Sequence, residues 1–351
     1  MIQTHEEVKE YYGNTIQKTE DLKTQACCTL TKPPKHILDI LELVADEVQM
    51  KYYGCGLTLP SAINGLKILD LGSGSGRDCF IAGKLVGENG HVTGIDMTDE
   101  QLEVANKYLD YHREKFGYKK SNVEFIKGNI DHLDELNLEQ ESFDVIISNC
   151  VINLSVDKLK ILKEIYGLLK PGGEMYFSDV YSDRRIPQSL QKNKVLWGEC
   201  LSGALYWNDF LNMANQAGFT DPRAVENRSI AVDDETLIEL VGDIKFYSVT
   251  YRLMKIEGLE SECEDYGQAV VYKGGIPENK NGFVLDDHHY FPVGKIISVC
   301  GNTYKMLHDT RFKKYFDFHG SWNTHYGIFE GCGAKMPFSE SGSGSDEAAC
   351  C

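Results

Sequence analysis

The segment "LDLGSGSGRD", residues 69–78, constrains the fold more than any other part of the chain. It joins a short apolar strand, "KILDL", to a run that reads as a helix, "RDCFIAGKLVG". Glycines at 72, 74 and 76 permit a tight strand-to-helix turn. Without a Cβ they reach dihedrals closed to other residues and let a ligand approach the backbone.

The same alternation continues downstream. "HVTGID" is a second strand ending at Asp96, and residues 99–116 read as one helix. "VEFIKGN" and "FDVIIS" are the third and fourth strands, a helix spans 157–169, and "KPGG" leads into a fifth strand, "EMYFSD". Strands alternating with helices imply a parallel sheet covered on both faces, an α/β fold. A helix at about 207–217 precedes two closing strands, "AVENRSIAV" and "FYSVTYRLMKI". Ahead of the first strand, apolar spacing over 35–52 predicts a single helix, stopped by the glycines and proline of "YYGCGLTLP".

The pattern breaks at "EGLESECEDYG", which sets a boundary at residue 258. The expected organisation is a helical and loop segment over 1–64, the α/β domain over 65–258, a small α+β domain over 259–335 and a tail over 336–351. The small domain carries the strand-like pieces "AVVYKG", "NGFVLDD" and "GKIISVC" and a helix near 302–314. The tail ends in "FSESGSGSDEAACC", too polar to pack, so Cys350 and Cys351 are expected to be exposed.

Acidic side chains outnumber basic ones 53 to 36, a net charge of −17 that repels nucleic acids and anionic membranes. No apolar run is long enough to cross a bilayer, and "MIQTHEEVKEYYGN" lacks the marks of a signal peptide. The expectation is a cytoplasmic monomer that binds neither nucleic acid nor membrane. Eleven cysteines are many for a reducing compartment, and an odd number cannot all pair within one chain. Ligand binding or redox turnover becomes plausible for some, and burial as small hydrophobes for others.

A dinucleotide fingerprint would need its third glycine where this chain has Arg77. Asp96 suits the ribose diol of any adenosine cofactor, and Asn129 and Ile130 after the third strand suit its adenine. A glycine turn also forms without a ligand, but Asp96 at the same sheet edge and "LKPGGEMYFSD" downstream favour one.

Cys150 in "SNCVINL" sits at the mouth of the fourth strand. Cys55 in "KYYGCGLTLP" and Cys200 in "KVLWGECLSGALYW" lie in segments rich in glycine and aromatics. Their separations are too long for a zinc ribbon or finger, although distant residues converge readily at a sheet edge. A buried structural thiol at 150 and a four-thiolate zinc site are the competing readings. "DDHHY", residues 286–290, reads as a polar loop or edge strand, because adjacent histidines on a strand face opposite sides. "SWNTHYG" reads as surface, and Trp197 and Trp207 as core or pocket walls.

Taken together, "LDLGSGSGRD", "GIDMT", "SNC" and "LKPGG" resemble the seven-stranded, class I (Rossmann-like) methyltransferases that use S-adenosylmethionine. The resemblance implies that "FYSVTYRLMKI" inserts antiparallel between the fifth and sixth strands. It places Gly72, Gly74 and Gly76 beside the methionine end, Asp96 at the ribose, and Asn129 and Ile130 at adenine. Ser73, Met97 and Asn149 complete the expected cofactor-binding set.

A closer similarity, to the arsenite methyltransferase family, covers about residues 11–256 through "YYGN", "LKTQAC", "YYGCG", "SNCVINL", "FSDVY", "VLWGEC" and "GALYW". It implies that Cys150 and Cys200 hold trivalent arsenic with Cys55 as third sulfur, and that Tyr53 lies near the cofactor. It implies disulfide exchange between Cys27 and Cys55, with glutathione or thioredoxin as reductant; the adjacent Cys28 is an alternative partner. The substrates would be arsenite and methylated trivalent arsenicals, and the products mono- and dimethylated species. The chemistry agrees: thiolates suit soft ions, and three sulfurs leave arsenic a lone pair that attacks the methyl without a general base. Each transfer oxidises arsenic by two electrons, which a thiol pair returns on forming a disulfide. The rivals are a methyltransferase of a small organic molecule, with a structural Cys150, and a noncatalytic metalloid scavenger.

Overall fold

The computed structural model describes residues 33–52, 57–191, 193, 196, 201–232 and 234–332. Cys27, Cys28, Tyr53, Cys55, Trp197, Cys200 and the tail with Cys350 and Cys351 lie outside the described residues.

The glycine turn joins β1 (Lys67–Leu71) to α3 (Arg77–Val86), preceded by α1 (Lys35–Leu41) and α2 (Asp46–Met50). Next come β2 (His91–Asp96), α4 (Asp99–Lys107), α5 (Leu109–Phe116), β3 (Val123–Lys127) and β4 (Phe143–Asn149). Then α6 (Lys158–Leu168), β5 (Leu169–Ser182), α7 (Trp207–Ala217), β6 (Arg223–Ile230), α8 (Glu235–Val241) and β7 (Phe246–Met254) complete the layer. The strand order is β3-β2-β1-β4-β5-β7-β6, and a two-residue strand, Leu205–Tyr206, pairs with the end of β5. β7 runs antiparallel to both β5 and β6, so the last strand is inserted where the resemblance placed it.

Alternation along β1 builds both cores. Leu69 and Leu71 face one side, with Ile161 and Ile165 of α6 and Phe210 of α7. Ile68 faces the other, with Phe80 and Ile81 of α3 and Ile37 of α1. Strands buried on both faces are the mark of a parallel sheet covered by helices.

Three expected elements differ. The helix over 35–52 is two helices, and in the gap the Gln49 Nε2 amide donates to the carbonyls of Leu41 and Val44 at 3.0 and 2.9 Å. These carbonyls would otherwise take main-chain donors of a continuous helix. The helix over 99–116 breaks at Tyr108 (φ −102°), whose hydroxyl donates to Glu47 at 2.7 Å. β5 begins at Leu169 rather than after "KPGG", because Gly172 N donates to Lys255 O at 2.7 Å and Lys255 N to Gly173 O at 2.9 Å.

Beyond β7, a three-stranded antiparallel sheet forms from β9 (Gln268–Tyr272), β12 (Ile296–Val299) and β13 (Phe316–His319). It packs with α9 (Gly301–His308) around Tyr272, Phe283, Phe291, Met306 and Phe312. Smaller ribbons pair β8 (Glu264–Asp265) with β14 (Gly327–Ile328), and β10 (Gly282–Val284) with β11 (Tyr290–Pro292). The expected helix near 302–314 ends at His308.

Buried ions fasten this region to the main sheet. Glu174 of β5, fully buried, pairs with Arg252 of β7 at 2.8 Å and with Arg311, whose Nη2 also donates to Ser61 O at 3.0 Å. Arg223 of β6 pairs with Asp221 at 2.7 Å and Asp286 at 3.1 Å. "DDHHY" is therefore only half surface. Residues 285–289 form the turn between β10 and β11, where His288 is exposed but Asp286 is buried and takes hydrogen bonds from Arg223 and the His289 ring. Among the described residues no helix is long and apolar enough to cross a membrane.

Removing Glu174 leaves two guanidinium groups facing each other without their counter-ion. Glu174→Ala should cost about 3–5 kcal/mol in urea unfolding, the range for breaking a buried pair. An unchanged midpoint would show that the triad holds nothing together.

Candidate functional site

The C-terminal ends of β1, β2 and β4 open into a single pocket lined by the glycine turn, the end of β2, the segment after β3 and the segment after β4. Gly72, Ser73, Gly74, Asp96, Met97, Asn129, Ile130, Asn149 and Cys150 all line it. Gly76 stands behind the turn as the N-cap of α3. Tyr53, Cys55, Cys200 and Cys27 fall outside the described residues.

Gly72 N and Ser73 N both donate to Ile95 O, at 2.8 and 2.9 Å, which lashes the turn to β2. The three glycines are needed for different reasons. At Gly72 (φ +77°) a Cβ would collide with the Val151 side chain, and at Gly76 (φ +87°) it would lie 2.5 Å from Phe125 Cζ. At Gly74 (φ +52°) nothing stands closer than 4.0 Å, so only the backbone conformation calls for glycine. Gly74 N donates to Asp96 Oδ2, and Thr98 N to Asp96 Oδ1, both at 2.8 Å. Burial raises the Asp96 carboxyl above its ordinary range, opposed by these amides and that of Met97.

Cys150 is 4% exposed and adopts φ +58°, the left-handed region that non-glycine residues rarely occupy. Its amide donates to Ser178 O at 2.9 Å, turning the chain sharply off β4. The next turn is held by Asp179, which accepts from Asn153 N at 2.9 Å, Asn153 Nδ2 at 2.7 Å and Val180 N at 2.8 Å. Burial pushes Asp179 up to about 6 against those donors. Leu237 and Val241 of α8, a helix absent from the sequence reading, join the apolar cluster around Cys150. Cys150 is disulfide-bonded, whereas Cys79, Cys263, Cys300 and Cys332 are free. Among the described residues no three histidine, cysteine or carboxylate side chains form a metal site.

Several pocket residues were not singled out from the sequence. Tyr52, neighbour of the expected Tyr53, lines the pocket and accepts from Asn149 Nδ2 at 2.5 Å. The Arg77 guanidinium lies 3.0 Å from the Tyr52 ring centroid and donates to Asp78 at 2.7 Å. The doubled tyrosine of "YYG" was the available signal. Asp70, Asp78 and Asp131 add three carboxylates to that of Asp96. Burial, then the Asp78 charge, pushes Asp70 from an ordinary 3.8 up to about 8. Asn129 Oδ1 accepts from Asp131 N at 3.0 Å, and Ile130, 8% exposed, supplies an apolar wall. Asp70 keeps its proton to about pH 8 and Asp78 is paired with Arg77, so the remaining acids, the backbone amides and the apolar wall suit a nucleoside better than a phosphate.

Residues 63–218 match the family model for a methyltransferase domain, and residues 266–341 match that for the arsenite methyltransferase C-terminal domain. An arsenite methyltransferase of Aquipseudomonas alcaligenes is 54% identical, across 99% of this chain and 100% of its own. Human arsenite methyltransferase is 46% identical, across 88% of this chain and 82% of its own. The crystal structure of an arsenic(III) S-adenosylmethionine methyltransferase from Chlamydomonas reinhardtii superposes with a TM-score of 0.82. That protein is 52% identical, and the match covers 85% of this chain and 100% of the other.

Gly74→Ala should cost about 1–2 kcal/mol, the strain of a left-handed alanine. Gly76→Ala should cost more, because Phe125 must also move; equal losses in urea unfolding would contradict the packing role. Between about pH 4 and pH 8 the folded protein keeps an Asp70 proton that the unfolded chain releases, so this group makes stability fall as pH rises. Asp70→Asn should flatten that slope in unfolding measured near pH 5 and near pH 8, and parallel slopes would reject it.

Proposed function

The chain belongs to the arsenite methyltransferase family, and on that premise we propose that it transfers methyl groups from S-adenosylmethionine to trivalent arsenic held by cysteine thiolates. The observation that carries the reading is Cys150 itself, turned by a left-handed backbone into the wall of a carboxylate-rich pocket.

The pocket fits the methyl donor on its own chemistry. Asp96 at the tip of β2 is suited to a ribose diol and Ile130 to an adenine face. When bound, S-adenosylmethionine supplies an electrophilic methyl carbon on a positive sulfur. The protein orients and shields. The glycine turn admits the ligand to the backbone, and α8 with its apolar neighbours excludes water from the thiol end. Holding nucleophile and methyl in line is worth effective molarities of about 10⁵ M or more.

Arsenic is the substrate, with Cys150, Cys200 and Cys55 as its three sulfurs. The sulfurs displace its oxygens and leave the lone pair as nucleophile, so no side chain need remove a proton during transfer. Because thiols lose protons on binding, metalloid affinity depends on pH. Return of arsenic to the trivalent state takes two electrons from a thiol pair, Cys27 with Cys55, reset by thioredoxin or glutathione. Mono- and dimethylated arsenicals follow from successive turns. Any disulfide at Cys150 must be reduced before arsenic enters.

Titration with As(III), followed by tryptophan fluorescence, should show stoichiometric binding in the reduced wild type and none in Cys150→Ser. S-adenosylmethionine binding should survive in both, measured by calorimetry. Equal arsenic binding by the two proteins would reject Cys150 as a ligand, and absence of methylated products by mass spectrometry would reject the transfer. Asp96→Ala should weaken S-adenosylmethionine binding roughly 10–100-fold, corresponding to about 1.5–3 kcal/mol for hydrogen bonds to a charged group. Unaltered affinity would move the ribose elsewhere.

A further inference from the structure

Three free thiols outside the pocket meet in the C-terminal region. Pairing of β8 with β14 draws the flanking chain together: Phe329 N donates to Cys263 O at 2.7 Å and Cys332 N to Phe329 O at 3.1 Å. The Cys332 thiol thereby comes to 2.7 Å from the sulfur of Cys263. Both are partly exposed. Cys300, buried at the N-cap of α9, stands within hydrogen-bonding reach of the same Cys263 thiol.

The surroundings of Cys300 favour its thiolate. Its sulfur lies 3.3 Å from Thr303 Oγ1, 3.5 Å from Thr303 N and 4.0 Å from Arg223 Nη2. Arg223 is fixed by Asp221 and Asp286 and reaches the cluster from β6 of the main sheet. Hydrogen bonding from Cys263, with help from Thr303 and Arg223, lowers Cys300 to about 5 against the cost of burial. The Cys263 thiol is correspondingly raised by Cys300.

We propose that Cys263 and Cys332 form a second binding site, for a trivalent arsenical with two exchangeable oxygen ligands. Two As–O bonds break and two As–S bonds form. The two thiol protons leave with the two hydroxyl groups as water. Arsenic stays trivalent, and no electrons are exchanged. A structural zinc would ask for four ligands, whereas a pair of adjoining sulfurs matches a metalloid with two open positions. The choice of arsenic rests on the function proposed above, while the pairing of the thiols does not.

The chain has three tryptophans, and Trp322 is beside this cluster: its ring lies 4.8 Å from that of Tyr266 and packs against Gly301, next to Cys300. The test uses full-length, reduced protein carrying Trp197→Phe, Trp207→Phe and Cys150→Ser, with phenylarsine oxide as probe. A saturable change in Trp322 emission is expected, with a phenylarsenic bridge between the Cys263 and Cys332 peptides by mass spectrometry. Cys263→Ser and Cys332→Ser should each abolish both signals. Unchanged Trp322 emission or a full response in either chelating variant would overturn the proposal. Methylation by Cys263→Ser in an otherwise wild-type chain shows that the variant folds, and it reports on the transfer reading separately from Trp322.

Discussion

At Gly72 the side chain of Val151 occupies the space that any Cβ would claim, and this contact links the two halves of the pocket. The glycine turn belongs to β1 and the ligand it admits. Val151 belongs to the segment after β4 and follows Cys150 directly. Because each is seated on the other, the distance between backbone turn and thiol is set by packing rather than by flexible loops. The Ile95 carbonyl, gripping Gly72 and Ser73 together, fixes the same turn against β2. Three adjacent strands thus locate one pocket.

The electrostatic design runs against stability. Asp70 and Asp179 are buried and Asp96 half-buried, and all three are raised, so each resists ionisation where it stands. The protein offsets that cost with main-chain amides, placed at Asp96 by the glycine turn and at Asp179 by the turn after Cys150. Elsewhere it uses arginines, as at Glu174 between Arg252 and Arg311. That ion cluster joins the C-terminal region to the main sheet and to Ser61, ahead of β1.

Much of the α/β layer was legible because its signals are local. A glycine turn after an apolar strand and an acid at the next strand end each follow from nearby dihedral and packing demands. The inserted β7 was legible only through resemblance, since order along the chain does not dictate order in a sheet. What escaped depended on distant partners. The break in the first helix depends on Gln49, the extension of β5 on Lys255, and the choice of Tyr52 as a pocket residue on Asn149. Asp70 lay inside the motif that opened the argument, yet its character comes from burial and from Asp78. The trio of Cys263, Cys300 and Cys332 is invisible in spacing, because a two-residue ribbon and a helix cap bring it together.

Position 150 carries a tension of its own. A left-handed backbone burdens any residue with a Cβ by about 1–2 kcal/mol, and glycine alone escapes that burden. Heat tolerance and sulfur chemistry therefore pull this site in opposite directions. Directed evolution that rewards only survival at high temperature would drift toward glycine here, giving a sturdier molecule with an empty place where its thiol had been.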